Sequence, residues 1–97
     1  MIAWPRRQNK TMPNLQRCDV VLLNDDQTPM EFVVVVLERF FGMTRLEAQS
    51  QMLHIHHEGR AICGTYPCEE AEKKVVDVLA FAGKHEHPLQ CVLEQAD

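Results

Sequence analysis

Asn24, Asp25, Asp26 and Thr28 place four polar side chains within five positions, directly after an apolar stretch. Together they overlay the D-x-D-x-T pattern with which one class of phosphotransferases accepts a phosphoryl group. The nucleophilic Asp of that pattern falls on Asn24, however, and an amide accepts no phosphoryl group. Asp and Asn also build polar turns, because their side chains accept hydrogen bonds from backbone amides. We therefore interpret this run as a polar turn rather than a phosphoryl-transfer site.

Histidine and cysteine are the other residue types whose chemistry needs an explanation. The chain contains His54, His56, His57, His85, His87, Cys18, Cys63, Cys68 and Cys91. Structural zinc requires four closely spaced ligands, and these spacings include no C-x-x-C pair. The cysteines at 18, 63 and 91 lie in apolar stretches and are interpreted as small buried hydrophobic residues. The even total of four cysteines also fits disulfides, which the lack of an export signal disfavours.

His56 differs from the other histidines because it continues the apolar stripe of a helix. From the residues alone we expect it to be a hydrogen-bonded core residue rather than a ligand. The other histidines are interpreted as solvated surface.

The elements around the polar run can be predicted from residue types and spacing. Cys18–Leu23 is rich in β-branched and aliphatic residues, which predicts a strand. Thr28 and Glu31 have the spacing of a capping box, with Thr28 as the N-cap of the first helix. Apolar residues then recur on one helical face up to Gly42, where the helix is expected to end. The polar run thus connects a strand to a helix.

Four further elements are predicted downstream. Thr44 and Glu47 form a second capping box, which begins a helix that ends at about Gly59. The others are a strand, a helix and a strand over residues 60–65, 67–83 and 89–94. The buried face of the third helix is expected to contain Ala71, Val75, Val78, Leu79 and Ala82. This order predicts an α+β fold in which one small three-stranded sheet is packed by three helices.

Charge is distributed unevenly along the 97 residues, whose net charge is −4. Residues 1–17 contain four basic and no acidic residues, whereas residues 18–97 contain six basic and fourteen acidic ones. We expect a flexible basic tail over residues 1–17 and one acidic domain over residues 18–97. An acidic domain is unsuited to non-specific nucleic-acid binding.

Membrane insertion and export are not predicted. The longest apolar run is six residues, from Phe32 to Leu37, and is too short to span a bilayer. No apolar segment follows Arg6 and Arg7, as it would in a signal peptide. We therefore expect a soluble, intracellular protein.

The stretch Val21–Phe32, which reads VLLNDDQTPMEF, strongly resembles the ClpS family of N-degron adaptors. The similarity continues in the expected order through FFG, MLHIH, GRAICG, AEKK and HPL, over about residues 18 to 95. Gln27 stands where an aromatic residue is frequent, and Pro67, Cys68 and Glu70 are unusual at the start of the third helix. The resemblance implies an antiparallel sheet and the element order β-α-α-β-α-β.

A ClpS-like protein is a recognition module that has no enzymatic activity and no cofactor. The resemblance implies binding of substrates with N-terminal Phe, Tyr, Trp or Leu and their delivery to a ClpA- or ClpC-type AAA+ unfoldase. By matching position, the residues around the α-amino group are Asn24, Asp25, Asp26 and His56. The residues that line the side-chain pocket are Thr28, Met30, Val33, Met52, Ile55 and Leu89. The matching unfoldase-docking residues are Glu69 and Lys74.

Two alternatives to this adaptor remain. A metal-dependent hydrolase would use the histidines together with Asp25 and Asp26. A ClpS-like modulator would bind the unfoldase without recognising N-termini, which the joint presence of Asn24, Asp26, Met30 and His56 disfavours. We expect a monomer without nucleic-acid or membrane partners in the bacterial cytoplasm, although a plastid stroma also suits a ClpS-like chain.

Overall fold

A computed structural model describes residues 16–96 as a three-stranded antiparallel sheet packed by three helices. The elements in chain order are β1 Arg17–Leu23, α1 Met30–Phe41, α2 Arg45–Glu58, β2 Arg60–Pro67, α3 Cys68–Lys84 and β3 Gln90–Gln95. The predicted α+β class and the order β-α-α-β-α-β are therefore confirmed. The tail expected over residues 1–17 lies mostly outside the described residues. Within residues 16–96, no helix has both the length and the apolarity needed to cross a membrane.

Strand β1 is the centre of the sheet, whose order is β2-β1-β3. Val20 and Leu22 point toward the helices and are fully buried in the core, and Val21 is fully buried on the opposite face. On that opposite face, Arg60 of β2 and Glu94 of β3 form an ion pair across β1. Because both of its faces are covered, β1 provides a fixed base for the loops at its two ends.

Two glycines with positive φ angles end the first two helices. Gly42 follows α1 with a φ of 66°, and Gly59 follows α2 with a φ of 90°. Each N–H donates back into the last turn of its helix, in a backbone conformation that glycine adopts at little steric cost. At the other end of α2, Thr44 and Glu47 form the predicted capping box.

Helix α1 begins differently from the prediction. Pro29 rather than Thr28 is the N-cap residue, and no side chain caps the helix. Thr28 is instead buried, and its hydroxyl donates to Oδ2 of Asp25 at 2.7 Å. Glu31 lies 3.5 Å from the guanidinium of Arg45. The predicted capping box is therefore wrong, because the Thr28 hydroxyl serves the loop before the helix.

Helix α3 is shifted relative to the prediction. Strand β2 continues through Pro67, the helix begins at Cys68, and Gly83 lies inside its last turn. Three of the five residues expected on its buried face are buried, namely Ala71, Val78 and Ala82. Leu79 is 41% exposed, so the buried face is narrower than predicted.

The four cysteines are in two different states. Cys63 and Cys91 are free and buried, as expected for small hydrophobic residues. Cys18 is also buried but forms a disulfide with Cys68, and their Cα atoms are 4.8 Å apart. The interpretation of Cys18 as merely a hydrophobic residue is therefore wrong. The two partners are 50 residues apart in sequence and become neighbours only in the fold.

The burial of α1 leads to a prediction about stability. Leu37 is fully buried, whereas Leu46 at the start of α2 is 78% exposed. We expect Leu37→Ala to lower the free energy of unfolding by about 2–5 kcal/mol, because it leaves a cavity. The matched control Leu46→Ala should change it by less than about 0.5 kcal/mol. Urea denaturation of both variants in one redox buffer measures the two losses, and equal losses would contradict the packing of α1.

Candidate functional site

A cavity of about 120 Å³ lies where β1 ends beside α1, α2 and the segment before β3. It is lined by Leu23, Asn24, Asp25, Asp26, Thr28, Met30, Val33, Met52, Ile55, His56 and Leu89. All ten residues predicted for the amino-group site and the side-chain pocket are thus brought together. Leu23 is the additional residue, and sequence reasoning missed it because it ends a strand in the manner of an ordinary core residue.

The floor of the cavity is apolar. Val33 of α1, Ile55 of α2 and Leu89 before β3 are buried, Met52 is half-buried, and Met30 is 49% exposed at the mouth. In another protein, an apolar cavity of about 150 Å³ binds benzene. A cavity of this size with an apolar floor fits one aromatic or branched aliphatic side chain.

Asp25 organises the loop between β1 and α1. Its Oδ1 accepts the backbone N–H groups of Gln27 at 2.9 Å and Thr28 at 2.8 Å, and Oδ2 accepts the Thr28 hydroxyl. Partial burial raises the pKa of the Asp25 carboxyl, but these hydrogen bonds and nearby His87 outweigh burial and hold the pKa below its ordinary 3.8. Asp25 is therefore ionised and adds negative charge to the cavity wall.

Asn24, Asp26 and His56 supply the open polar atoms of the lining. Among residues 16–96, none of these three side chains has a hydrogen-bond partner. An amide oxygen, a carboxylate and an imidazole nitrogen can accept hydrogen bonds from a ligand that carries several N–H donors. His56 is exposed, so the expectation that it is a core residue is wrong.

One backbone hydrogen bond brings these acceptors together. The N–H of Asn24 donates to the carbonyl oxygen of Gly59 at 2.9 Å, which joins the end of β1 to the end of α2. His56 lies in the last turn of α2, just before Gly59. The bond therefore places His56 beside the polar loop.

The segment before β3 closes the cavity on its remaining side. The ring of His87 packs against Phe32 of α1 with 4.4 Å between ring centroids. The backbone N–H of His87 donates to the Ala82 carbonyl at 2.9 Å. Phe32 also stacks on Phe81 at 5.2 Å. These contacts hold Leu89 against α1. His87 is half-buried, so its interpretation as solvated surface is wrong.

Glu69 and Lys74 lie apart from the cavity. Glu69 is in the first turn of α3, and Nζ of Lys74 is 5.4 Å from the ring centroid of Tyr66. The N–H of Cys68 donates to the carbonyl of Gln16 at 3.3 Å, so this turn lies at the start of β1. A strand of this length separates it from the cavity by about 20 Å. The predicted docking residues therefore lie near the start of β1, and the predicted cavity residues lie at its end.

A metal centre is not formed by the described part of the chain. Among residues 16–96, no three His, Cys, Asp or Glu side chains are grouped closely enough to hold a metal ion. The rings of His56 and His57 are neighbours, with 5.5 Å between centroids, but a third donor does not join them. The metal-dependent hydrolase alternative has no ligand cluster in these residues.

The hydrogen bonds of Asp25 lead to a pH prediction. Asp25→Ala should lower the free energy of unfolding at neutral pH by about 1–2 kcal/mol, because it leaves loop donors unpaired. The folded-state pKa of Asp25 lies below 3.8, so this contribution is complete above that pH and disappears as the pH falls through the folded-state pKa. The control is Asp26→Ala, which removes the adjacent carboxylate but none of these bonds. Urea denaturation between pH 2 and 7 measures both differences, and a pH-independent loss in Asp25→Ala would contradict this role.

Comparison with known proteins agrees with the resemblance in the sequence. The family model described as "ATP-dependent Clp protease adaptor protein ClpS" matches residues 14–92. The chain is 53% identical over 96 residues to the ATP-dependent Clp protease adapter protein ClpS of Hyphomonas neptunium, covering 99% of this chain and 80% of that one. It is 58% identical over 83 residues to ClpS 2 of Rhodopseudomonas palustris, covering 86% and 74% respectively.

A solved structure shows similarity in three dimensions as well. Agrobacterium tumefaciens ClpS2, bound to L-phenylalaninamide, superposes with a TM-score of 0.81 at 32% sequence identity. The match covers 84% of this chain and 98% of the Agrobacterium chain. With the family match and these relatives, the chain belongs to the ClpS family, whose members are adaptors of the Clp protease and not enzymes.

Proposed function

We propose that this ClpS protein binds free N-termini that begin with Phe, Tyr, Trp or Leu and delivers their proteins to a ClpA- or ClpC-type AAA+ unfoldase. The observation that carries the proposal is a single cavity with an acceptor-rich wall and an apolar floor. The similar Agrobacterium ClpS2 holds L-phenylalaninamide, which combines a free amine with a phenyl side chain.

The polar wall suits an α-ammonium group. Such a group is a cation with three donors near neutral pH. The Asn24 amide, the Asp26 carboxylate and the His56 ring supply acceptors, and Asp25 supplies negative charge and a free lone pair. Acetylation removes the charge and two donors, which leaves these acceptors unpaired. Binding sites discriminate strongly against that kind of loss.

The apolar floor suits the first side chain of the substrate. Burial of a Leu or Phe side chain contributes about 1.5–3 kcal/mol, and each charge-assisted hydrogen bond contributes about 1.5–3 kcal/mol. After the costs of association and ordering are subtracted, we expect a dissociation constant on the order of micromolar. Neither part of the site supplies this affinity alone, so recognition requires both a free amine and the correct side chain.

In this proposal, delivery of the substrate to the unfoldase uses the start of β1, the end that is remote from the cavity. Glu69 and Lys74 dock the unfoldase, and they lie at this end of the strand. A bound substrate therefore leaves the docking residues accessible. We place this activity in the bacterial cytoplasm, since the relatives are bacterial Clp protease adapters, and we expect the adaptor to act as a monomer.

The amine site is tested with labelled peptides and a matched pair of histidine variants. We expect an N-terminal Leu peptide to bind the wild-type protein in the micromolar range, and its acetylated form not to bind. His56→Ala should weaken binding about ten- to hundredfold, as expected for a lost bond to a charged group. His54→Ala changes an exposed histidine of the same helix that does not line the cavity, and should have little effect. Fluorescence anisotropy measures all three proteins with both peptides, and equal binding of free and acetylated peptides would refute the proposal.

Met30 is expected to set the specificity for the first side chain. Its thioether lies at the cavity mouth, where it crowds a Cβ that carries two branches but admits the unbranched Cβ of Leu or Phe. Met30→Ala should therefore bind N-terminal Ile and Val peptides within about tenfold of Leu. The control is Leu53→Ala, an apolar residue of similar exposure, at 47% against 49%, that does not line the cavity. If Met30→Ala still rejects Ile and Val, another residue determines the specificity.

A further inference from the structure

The disulfide between Cys18 and Cys68 joins the start of β1 to the first residue of α3. The Cα atoms are 4.8 Å apart, within the span that a disulfide bridges. The recognition cavity lies at the other end of β1 and contains neither cysteine. Substrate recognition therefore does not account for the pair.

We propose that Cys18 and Cys68 form a thiol–disulfide exchange site whose co-reactant is a small-molecule disulfide of the glutathione class, and that the oxidised pair fixes the first turn of α3 for unfoldase docking. The docking part of this inference rests on the proposed function. In a reducing cytoplasm, a protein disulfide is typically transient or redox-sensing rather than permanent. The pair would then couple the redox state of the cell to the docking surface.

Exposure distinguishes Cys68 from the other three cysteines. Cys63 and Cys91 are buried, and burial raises the pKa of their thiols to about 11 and about 12, so both remain protonated and unreactive. Cys68 is half-buried at the first position of α3, so its sulfur is the most accessible of the four to a dissolved disulfide. Cys68 is therefore the attacking cysteine, and buried Cys18 is the resolving one.

The exchange balances in two steps. The Cys68 thiolate attacks one sulfur of the small disulfide, which forms a mixed disulfide and releases one small thiolate that takes up the Cys68 proton. The Cys18 thiolate then attacks Sγ of Cys68, which forms the Cys18–Cys68 bond and expels the second small thiolate, to which the Cys18 proton passes. The two cysteines lose two electrons, and one small disulfide is reduced to two thiols.

The disulfide adds a covalent anchor to the first turn of α3, in addition to the strand pairing of Pro67 with Arg17. The N-cap residue of α3 is Pro67, and no side chain caps the helix. The N–H of Cys68 makes a 3.3 Å hydrogen bond to the carbonyl of Gln16. Glu69 is the next residue, so reduction of the disulfide loosens the turn that carries this proposed docking residue.

The first experiment needs no unfoldase. The full chain is equilibrated in buffers that range from oxidised to reduced glutathione, quenched in acid and unfolded, and its free thiols are counted by maleimide labelling. We expect two free thiols in oxidising buffer, Cys63 and Cys91, and four in reducing buffer, with Cys18 and Cys68 appearing together. Amide hydrogen exchange of Cys68, whose N–H is bonded to the Gln16 carbonyl, should become about fivefold faster in the reduced protein, an effect as large as losing a helix cap. A pair that stays oxidised in reduced glutathione, or stays reduced in oxidised glutathione, would overturn the inference.

The second experiment measures docking and recognition side by side. Oxidised wild-type protein should bind a ClpA-type unfoldase about fivefold more tightly than reduced protein or Cys68→Ser, by the same loss of anchoring. Affinity for the N-terminal Leu peptide should be equal in all three, since the cavity lies about 20 Å away. Cys91→Ala, which removes a thiol but keeps the pair, should respond to redox buffer like the wild type. Equal docking by the oxidised and reduced forms overturns the inference, whereas loss of peptide binding in every form contradicts the proposed function instead.

Discussion

The geometry of the cavity depends on the end of the β1–β2 pairing, where the N–H of Asn24 donates to the carbonyl of Gly59. This hydrogen bond joins the last residues of β1 to the end of α2, two segments that are far apart in sequence. The positive φ of Gly59 turns the chain sharply after α2, so its carbonyl can reach β1 and the next strand can begin at once. Because β1 is buried on both faces, the polar loop and His56 are held to a rigid strand.

A second constraint acts within the loop itself. Asp25 accepts three hydrogen bonds from Gln27 and Thr28, which gives the chain a compact turn between β1 and α1. The turn uses the Thr28 hydroxyl that would otherwise cap α1, so the helix begins without a side-chain cap. The same turn directs Asn24 and Asp26 toward one cavity. Helix α1 therefore lacks the stability of a side-chain cap, while the loop holds two hydrogen-bond acceptors at the cavity.

The sequence and the structure agree where the determinants are local. The sequence predicts the helix ends at Gly42 and Gly59 and the capping box at Thr44, because each depends on residues within one helical turn. The cavity residues were anticipated from the family resemblance rather than from spacing. Thr28 is a local exception, because its hydroxyl has two possible local roles, as a helix cap or as a donor to Asp25 three residues earlier, and the structure shows the second. The pairing of Cys18 with Cys68 depends on a contact between residues 50 positions apart, which no pattern of neighbouring residues encodes.

Strand β1 also determines how recognition and docking relate to each other. In the proposed function the amine site lies at its end, and the docking turn of α3 lies at its start. Val20 and Leu22 are buried against the helices and Val21 is buried on the opposite face, so the middle of the strand is fixed by packing. Coupling through a conformational change would require an element with two arrangements, and the tight packing of these three residues disfavours a second one. In the proposed function and the redox inference, occupancy of the cavity and the state of the Cys18–Cys68 pair are therefore independent inputs, and a change in redox state would alter delivery without altering which N-termini are bound.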